Sequence, residues 1–326
     1  MKKDIIGIDL GSANTVVYSS LVDSLVFSEP TLIALDSNTH EVKDIGYLAS
    51  KIQGKAPYNY DIVSPIVNGA IADEDAAYLF LSRILSNLHL GKNFRTTTLV
   101  FSAPSKLTPV CRNAIIDIGK RLSVKEIFIE SQAKLAALGT GDNVNAPTAT
   151  LVANIGAGVS DIALLSLGEI VAVNSTFIAG ASIDEAIRRY MIQNQHLDIG
   201  IRNSEYIKMR VADIAPNAEN RLAEIKGRDT ITSLPSSVIV SSGEIRKTIE
   251  PLIDFIGLKI TDVIGSVSPD LVSDLMKNGL ILTGGGALLR GLKDYLQNLL
   301  SIPVRVADKP AEAVTSGIRY YARTLK

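Results

Sequence analysis

The sequence predicts an α/β protein made of two similar halves, and three observations carry that prediction. Residues 5 to 18 (IIGIDLGSANTVVY) and 151 to 164 (LVANIGAGVSDIAL) share one design: apolar strand, polar residue, glycine-rich turn, second apolar strand. Along each half, apolar runs of strand length alternate with segments of helical spacing, which calls for a sheet that is at least partly parallel. Each half also carries a polar block, at about 36–68 and again up to Asp229, which suits a smaller insertion into an α/β core. The two halves are expected to face each other across a cleft.

The elements follow in order. Runs rich in Val, Ile and Leu at 5–9, 14–20 and 25–35, broken by glycine and by Pro30, read as a meander of strands. Asp73 to Leu88 has helical spacing, with Asp73 placed as its cap. TTTLVFSAP reads as a buried strand, PVCRNAIIDIGKRL as a helix, EIFIES as a strand and QAKLAALGTG as a short helix stopped by glycines. The second copy begins at Thr150, with strands through Val173, a helix at about 182–195 and polar helical segments up to Asp229. From Ser241 a long helix leads to the strand NGLILT, a glycine turn, a helix starting near Leu288, and a last strand and helix in IPVRVADK and EAVTSGIRYYARTL.

Composition narrows the function. The chain has 326 residues, 46% apolar and 21% charged, enough to bury a large core in two or three compact units. Thirty-three basic residues balance thirty-four acidic ones, so the overall field points to no nucleic-acid partner. A single cysteine, Cys111, forms no internal disulfide, and His40, His89 and His196 are too scattered to promise it a base. Asp4, Gly7 and Asp9 interrupt the first apolar run before it reaches signal-peptide length. Asn154, Asp161 and Glu169 make residues 151–174 costly as a lipid-facing helix. The expected location is the cytoplasm.

Chemistry concentrates in three turns. Gly11, Ser12, Ala13 and Asn14 form a tight turn in which small residues let successive backbone N–H groups approach a phosphate. Asp9, just before it, is placed to hold Mg²⁺ through water. One such turn alone reads as an ordinary hairpin; a second copy 145 residues on (Asn154 against Asp9), with Gly156, Ala157 and Gly158, favours a phosphate clamp. The third turn, Gly284, Gly285 and Gly286 after an apolar strand, lets a flat ring or ribose lie against the backbone.

These three turns resemble the phosphate, phosphate and adenosine turns of the actin, Hsp70 and sugar-kinase superfamily. Within it, GIDLGSANTVVY, SEP at 28–30, GAIAD at 69–73, IDEAI at 183–187, GRDTITSLP at 227–235 and LTGGGALLRGL at 282–292 are similar to segments of the bacterial actin family MreB. The resemblance implies an actin-like fold with a ribonuclease H-like duplicated core, two domains of two subdomains each around a nucleotide cleft. The subdomains expected are IA (1–34, 69–145 and 308–326), IB (35–68), IIA (146–180 and 241–307) and IIB (181–240). It also implies ATP or ADP with Mg²⁺, and homopolymer protofilaments that pair at the inner face of the cell membrane, alone or with other MreB-type paralogues, in support of cell shape or motility. Carried over residue by residue, Asp9, Gly11, Ser12, Ala13 and Asn14 take the first phosphate loop, Asn154, Gly156, Ala157 and Gly158 the second, and Gly284, Gly285 and Gly286 the adenosine loop. Glu205 and Lys208 fall where the family contacts ribose and base; a solvated helix face reads equally well there.

The departures bear on hydrolysis. Where the family has Glu-Glu-Pro, this chain has Ser131, Gln132 and Ala133; where it has Asp-Ile-Gly-Gly-Gly-Thr-Thr, this chain has Asn154 to Ser160, with Val159 at the first threonine. A carboxylate that positions a water contributes roughly two to four powers of ten in rate. The losses therefore predict weak ATPase activity, moderated by Gln132, which orients water by hydrogen bonding as glutamine does in some GTPases. Membrane contact is expected through Leu90 and Phe94, flanked by Lys92 and Arg95, rather than through an N-terminal helix. A small-molecule kinase of the same superfamily needs a carboxylate base in the cleft, which the lost carboxylates disfavour. An Hsp70-type ATPase module is expected to carry a substrate-binding domain beyond residue 326.

Overall fold

The computed structural model describes residues 4–88, 96–215 and 217–325. It divides into two compact units, residues 1–144 with 312–326 and residues 145–311. Leu90 and Phe94, the expected lipid contacts, lie outside the described residues.

In the first unit the strands are β1 (Asp4–Leu10), β2 (Asn14–Ser19), β3 (Ser24–Pro30), β4 (Ile33–Asp36), β5 (Val42–Ile45), β6 (Tyr60–Val63), β7 (Ile66–Val67), β8 (Ala70–Ile71), β9 (Thr97–Ala103) and β10 (Glu126–Ser131). The helices are α1 (Gly46–Ile52), α2 (Glu74–Asn87), α3 (Pro109–Arg121), α4 (Gln132–Gly139) and the C-terminal helix Ala313–Thr324. The main sheet runs β10-β9-β1-β2-β3, antiparallel through β1, β2 and β3 and parallel through β1, β9 and β10. The run 25–35 is split after Pro30, because β4 leaves this sheet to pair with β5 and β6. The polar block 36–68 is thus a small sheet with one helix rather than irregular chain. Asp73 caps α2 through the Ala76 N–H, and Phe80, Leu81, Ile84 and Leu85 bury its inner face.

The second unit repeats this plan with β11 (Thr150–Ile155), β12 (Ser160–Ser166), β13 (Glu169–Thr176), β14 (Leu197–Asp198), β15 (Leu222–Asp229), β16 (Pro235–Ser241), β17 (Leu280–Thr283) and β18 (Val304–Val306). Its helices are α5 (Gly180–Gln195), α6 (Ile201–Arg210), α7 (Ser242–Gly265), α8 (Pro269–Asn278) and α9 (Leu292–Leu300). The order β13-β12-β11-β17-β18 has the same sequence of antiparallel and parallel pairings as the first sheet. Two expectations are corrected here. Residues 222–229 are a strand, not polar helix: Ile225 points inward between Glu224 and Lys226, a period of two, and β15 pairs with β16. The helix expected near Leu288 is a single 3-10 turn (Gly285–Leu288), because Gly291 is left-handed (φ 75°) and the true helix starts at Leu292.

Two glycines decide how α4 is held. A Cβ on Gly139 falls 1.8 Å from the Ala313 carbonyl oxygen, and one on Gly317 falls 1.8 Å from that of Leu135. The backbones of α4 and the C-terminal helix therefore touch. Gly317→Ala is expected to cost about 3 kcal/mol and lower the melting temperature by several degrees, since no flexible side chain is available to give way. Thermal unfolding by circular dichroism checks this.

Candidate functional site

Each half folds its polar residue, its turn and one neighbouring hydroxyl in the same way. In the first unit, the N–H of Gly11 donates to the Asn14 carbonyl (3.1 Å). A Cβ on Gly11 would lie 2.7 Å from that same oxygen, so the turn needs glycine. Ser12 accepts a hydrogen bond from the Gly69 N–H at 2.9 Å, and Thr31 donates its hydroxyl to the Gly11 carbonyl at 2.6 Å and its N–H to that of Ala13 at 2.9 Å. Ala13 and Asn14 are exposed. In the second unit, the N–H of Gly156 donates to the Val159 carbonyl (2.9 Å), the same closure 145 residues on. At both apices two successive N–H groups, of Ser12 and Ala13 and of Ala157 and Gly158, find no acceptor among the described residues. Such a pair is what an anion meets in a backbone nest.

The polar residue before each turn is held by a hydroxyl from the end of the adjacent parallel strand. Ser102, paired with Asp9 in the β1–β9 register, donates to Asp9 Oδ1 at 2.5 Å; Gln132, the first residue of α4, reaches the same oxygen at 3.5 Å. Burial pushes the Asp9 carboxyl above its ordinary range, while the Ser102 and Gln132 hydrogen bonds pull it back. In the second unit Thr283 takes the place of Ser102, donating to Asn154 Oδ1 at 3.2 Å. Asn154 is buried and neutral, and stands directly across from the buried Asp161, whose carboxylate accepts from Ser175 at 2.5 Å. Val159 is buried and brings no hydroxyl to its turn.

The three glycines after β17 have different jobs. Gly284 is left-handed (φ 81°) and its Cβ would fall 2.3 Å from the Ile155 carbonyl oxygen; that of Gly286 would fall 2.3 Å from the Ile155 side chain. These two are glycine because this turn packs on the strand leading to Gly156. Gly285 is exposed, with nothing within 4 Å of where a Cβ would stand, so its face is the one open to a flat ligand.

Glu205 and Lys208 lie on α6, and the structure treats them differently. Lys208 is 2.6 Å from Asp184 and donates to the Gly180 carbonyl at 3.3 Å, while Glu205 is exposed. The N–H groups of Gly180 and Ala181 bond the carbonyls of Gly156 and Ala157, so Lys208 stands directly behind the second turn. From the sequence alone, Ser102 and Asp184 have no part in the site, and Asp161 counts only as a charge that disfavours a membrane helix. Ser102 was findable, since it ends a strand that runs parallel to β1; Asp184 needed the α5–α6 packing.

Asp184 gives a pH signature. Burial raises its carboxyl to about 6, against the opposing pull of Lys208. Between 3.8 and about 6 the folded protein binds the proton that the unfolded chain has released, so this group's contribution to stability falls as pH rises through that window and is constant above it. Asp184→Asn is therefore expected to gain on wild type between pH 4 and pH 7, by roughly 3 kcal/mol in all. Urea unfolding across that range checks it, and a pH-independent difference contradicts it.

Compared with known proteins, the chain matches the family model described as MreB/Mbl protein over residues 3–326. The chain belongs to the MreB/Mbl family. It is 33% identical over 312 residues to the cell shape-determining protein Mbl of Bacillus subtilis (strain 168), covering 96% of this chain and 93% of that one. The MreB/Mbl fold is matched by the crystal structure of MreB5 of Spiroplasma citri bound to AMPPNP, with a TM-score of 0.94 and 30% identity over 100% of this chain and 97% of that one. The MamK double helical filament superposes at a TM-score of 0.83 and 19% identity, over 98% of each chain, and speaks to the fold alone. The fold is actin-like, as the motifs imply.

Proposed function

We propose that this member of the MreB/Mbl family binds ATP and polymerises into paired protofilaments at the inner membrane surface, with slow hydrolysis, in support of cell shape or motility. The observation that carries the reading is the matched pair of turns, each closed by a glycine and each presenting two unpartnered N–H groups. Those groups take phosphate oxygens, and the open face of Gly285 takes the adenosine. The binding of AMPPNP by the MreB5 relative supports the nucleotide class. The division into subdomains IA, IB, IIA and IIB is part of this proposal, as is co-assembly with MreB-type paralogues.

Asp9 fits a magnesium site. Asp9 would hold the ion through water, with phosphate oxygens as further ligands, since among the described residues no three metal-ligating side chains cluster to cage it. That is the habit of Mg²⁺, which keeps several waters. When bound, the ion supplies charge neutralisation of the phosphates. Ser102 orients the Asp9 carboxylate. Gln132, a neutral amide, orients a water without taking its proton, while buried Asn154 and Val159 add neither charge nor a hydroxyl. Glu205 is free to meet the ribose, and Lys208 backs the second turn.

Electron microscopy and sedimentation with and without ATP test the reading: filaments with ATP and none without are expected, and a chain that stays unassembled in both contradicts it. Leu90→Ser with Phe94→Ser is expected to weaken liposome binding of the filaments while leaving their assembly intact.

A further inference from the structure

The turn between β2 and β3 exposes two large apolar side chains next to a clasped carboxylate. Leu21 and Val22 are 52% and 60% exposed. Asp23, left-handed at φ 51°, accepts from the Tyr18 hydroxyl at 2.7 Å, from Arg319 at 3.1 and 2.7 Å and from Arg323 at 2.9 Å. Two guanidiniums thus share the carboxylate of the residue that follows the two exposed side chains, leaving one positive charge over. The arginines hold Asp23 well below the usual carboxylate range, so the clasp stays charged at any working pH. An exposed apolar pair in a turn ordinarily favours polar replacements; here it adjoins a carboxylate tied to two arginines of the C-terminal helix.

We propose that the Leu21–Val22 turn is a lipid-inserting tip that seats this protein on anionic bilayers, with Arg319 and Arg323 at the headgroups. The proposal rests on the reading that the filament lies on a membrane, and it adds a contact separate from Leu90 and Phe94. Size favours a bilayer over a protein: a turn with two exposed apolar side chains offers too little area for a specific protein interface, but enough for insertion between headgroups. Charge agrees, since excess arginine beneath the apolar residues complements acidic phospholipid. Position agrees too. Ser20 bonds Ile5 at the start of β1, whereas the Gly11 turn follows its end, so the tip and the phosphate turn lie at opposite ends of β2. The corresponding turn of the second half exposes Leu167 alone of its two residues as a large apolar side chain, the other being Gly168. One tip binds weakly, so membrane contact should follow assembly, where many tips act together.

Flotation of ATP-assembled full-length protein with phosphatidylglycerol/phosphatidylcholine vesicles tests this. Wild type should float, Leu21→Ser with Val22→Ser should lose roughly tenfold in vesicle affinity per subunit, and Leu167→Ser should behave as wild type. Val22→Phe should bind more tightly, which keeps the test decisive if the serine variant is unstable. Equal flotation of wild type and the serine variant overturns the tip and leaves the membrane reading intact. Absence of flotation by wild type, with normal filaments, overturns both. Loss of filament pelleting without vesicles in the serine variant overturns the tip in favour of a contact between copies of the chain.

Discussion

Asp9→Asn is expected to weaken magnesium–nucleotide binding roughly 10- to 100-fold, the usual scale for removing a group that acts on a metal through its water, and with it ATP-dependent assembly. The same change makes the first half like the second, which already has Asn154 in that place. Its effect on the nucleotide-free protein should have the opposite sign. Burial raises the Asp9 carboxyl above its ordinary value, so near pH 7 the ionised group is held at a cost. Asparagine keeps an oxygen for Ser102 and removes the charge, so the empty variant should be at least as stable as wild type near pH 7. That advantage should shrink as pH falls and wild-type Asp9 takes up a proton. Isothermal titration with Mg-ATP and urea unfolding without nucleotide separate the two effects. A variant that is merely less stable, with unchanged nucleotide affinity, contradicts the assignment of Asp9.

Much of this was legible in the sequence because the fold repeats itself. Two copies of strand, polar residue and glycine turn fixed the α/β class, and the 145-residue offset reappears in the Gly11–Asn14 and Gly156–Val159 closures. What stayed hidden depends on packing between segments distant in the chain. Gly284 and Gly286 read as ligand-facing glycines, and the structure adds a packing reason for both, because their turn sits on Ile155, whereas Gly285 has open space where a Cβ would stand. Lys208 read as a ribose contact or a solvated side chain, and its partner is Asp184 on the preceding helix. The β15–β16 hairpin was missed because charges on its outer face masked an alternation with few large apolar residues.

The second large effect concerns hydrolysis. Gln132 and Asn154 stand where the resemblance to the family implies carboxylates, Gln132 within reach of Asp9 and Asn154 accepting from Thr283. Gln132→Glu restores a group able to accept a proton from water, and Asn154→Asp restores charge beside the second turn. Neither change is free of cost, because an aspartate at 154 stands across from buried Asp161, and two carboxylates buried face to face destabilise by a few kcal/mol unless one keeps its proton, a loss within the roughly 5–15 kcal/mol of a folded domain. A glutamate at 132 adds a second carboxylate beside Asp9, which favours metal-loaded over empty protein. The double variant should therefore fold, bind Mg-nucleotide and release phosphate roughly a hundredfold faster than wild type, with filaments that turn over faster. Phosphate release from filaments of wild type and of Gln132→Glu with Asn154→Asp, measured side by side, tests this most directly. Slow release by an assembled wild type and a large rise in the double variant are predicted; fast release by wild type, or a folded double variant no faster than wild type, contradicts it.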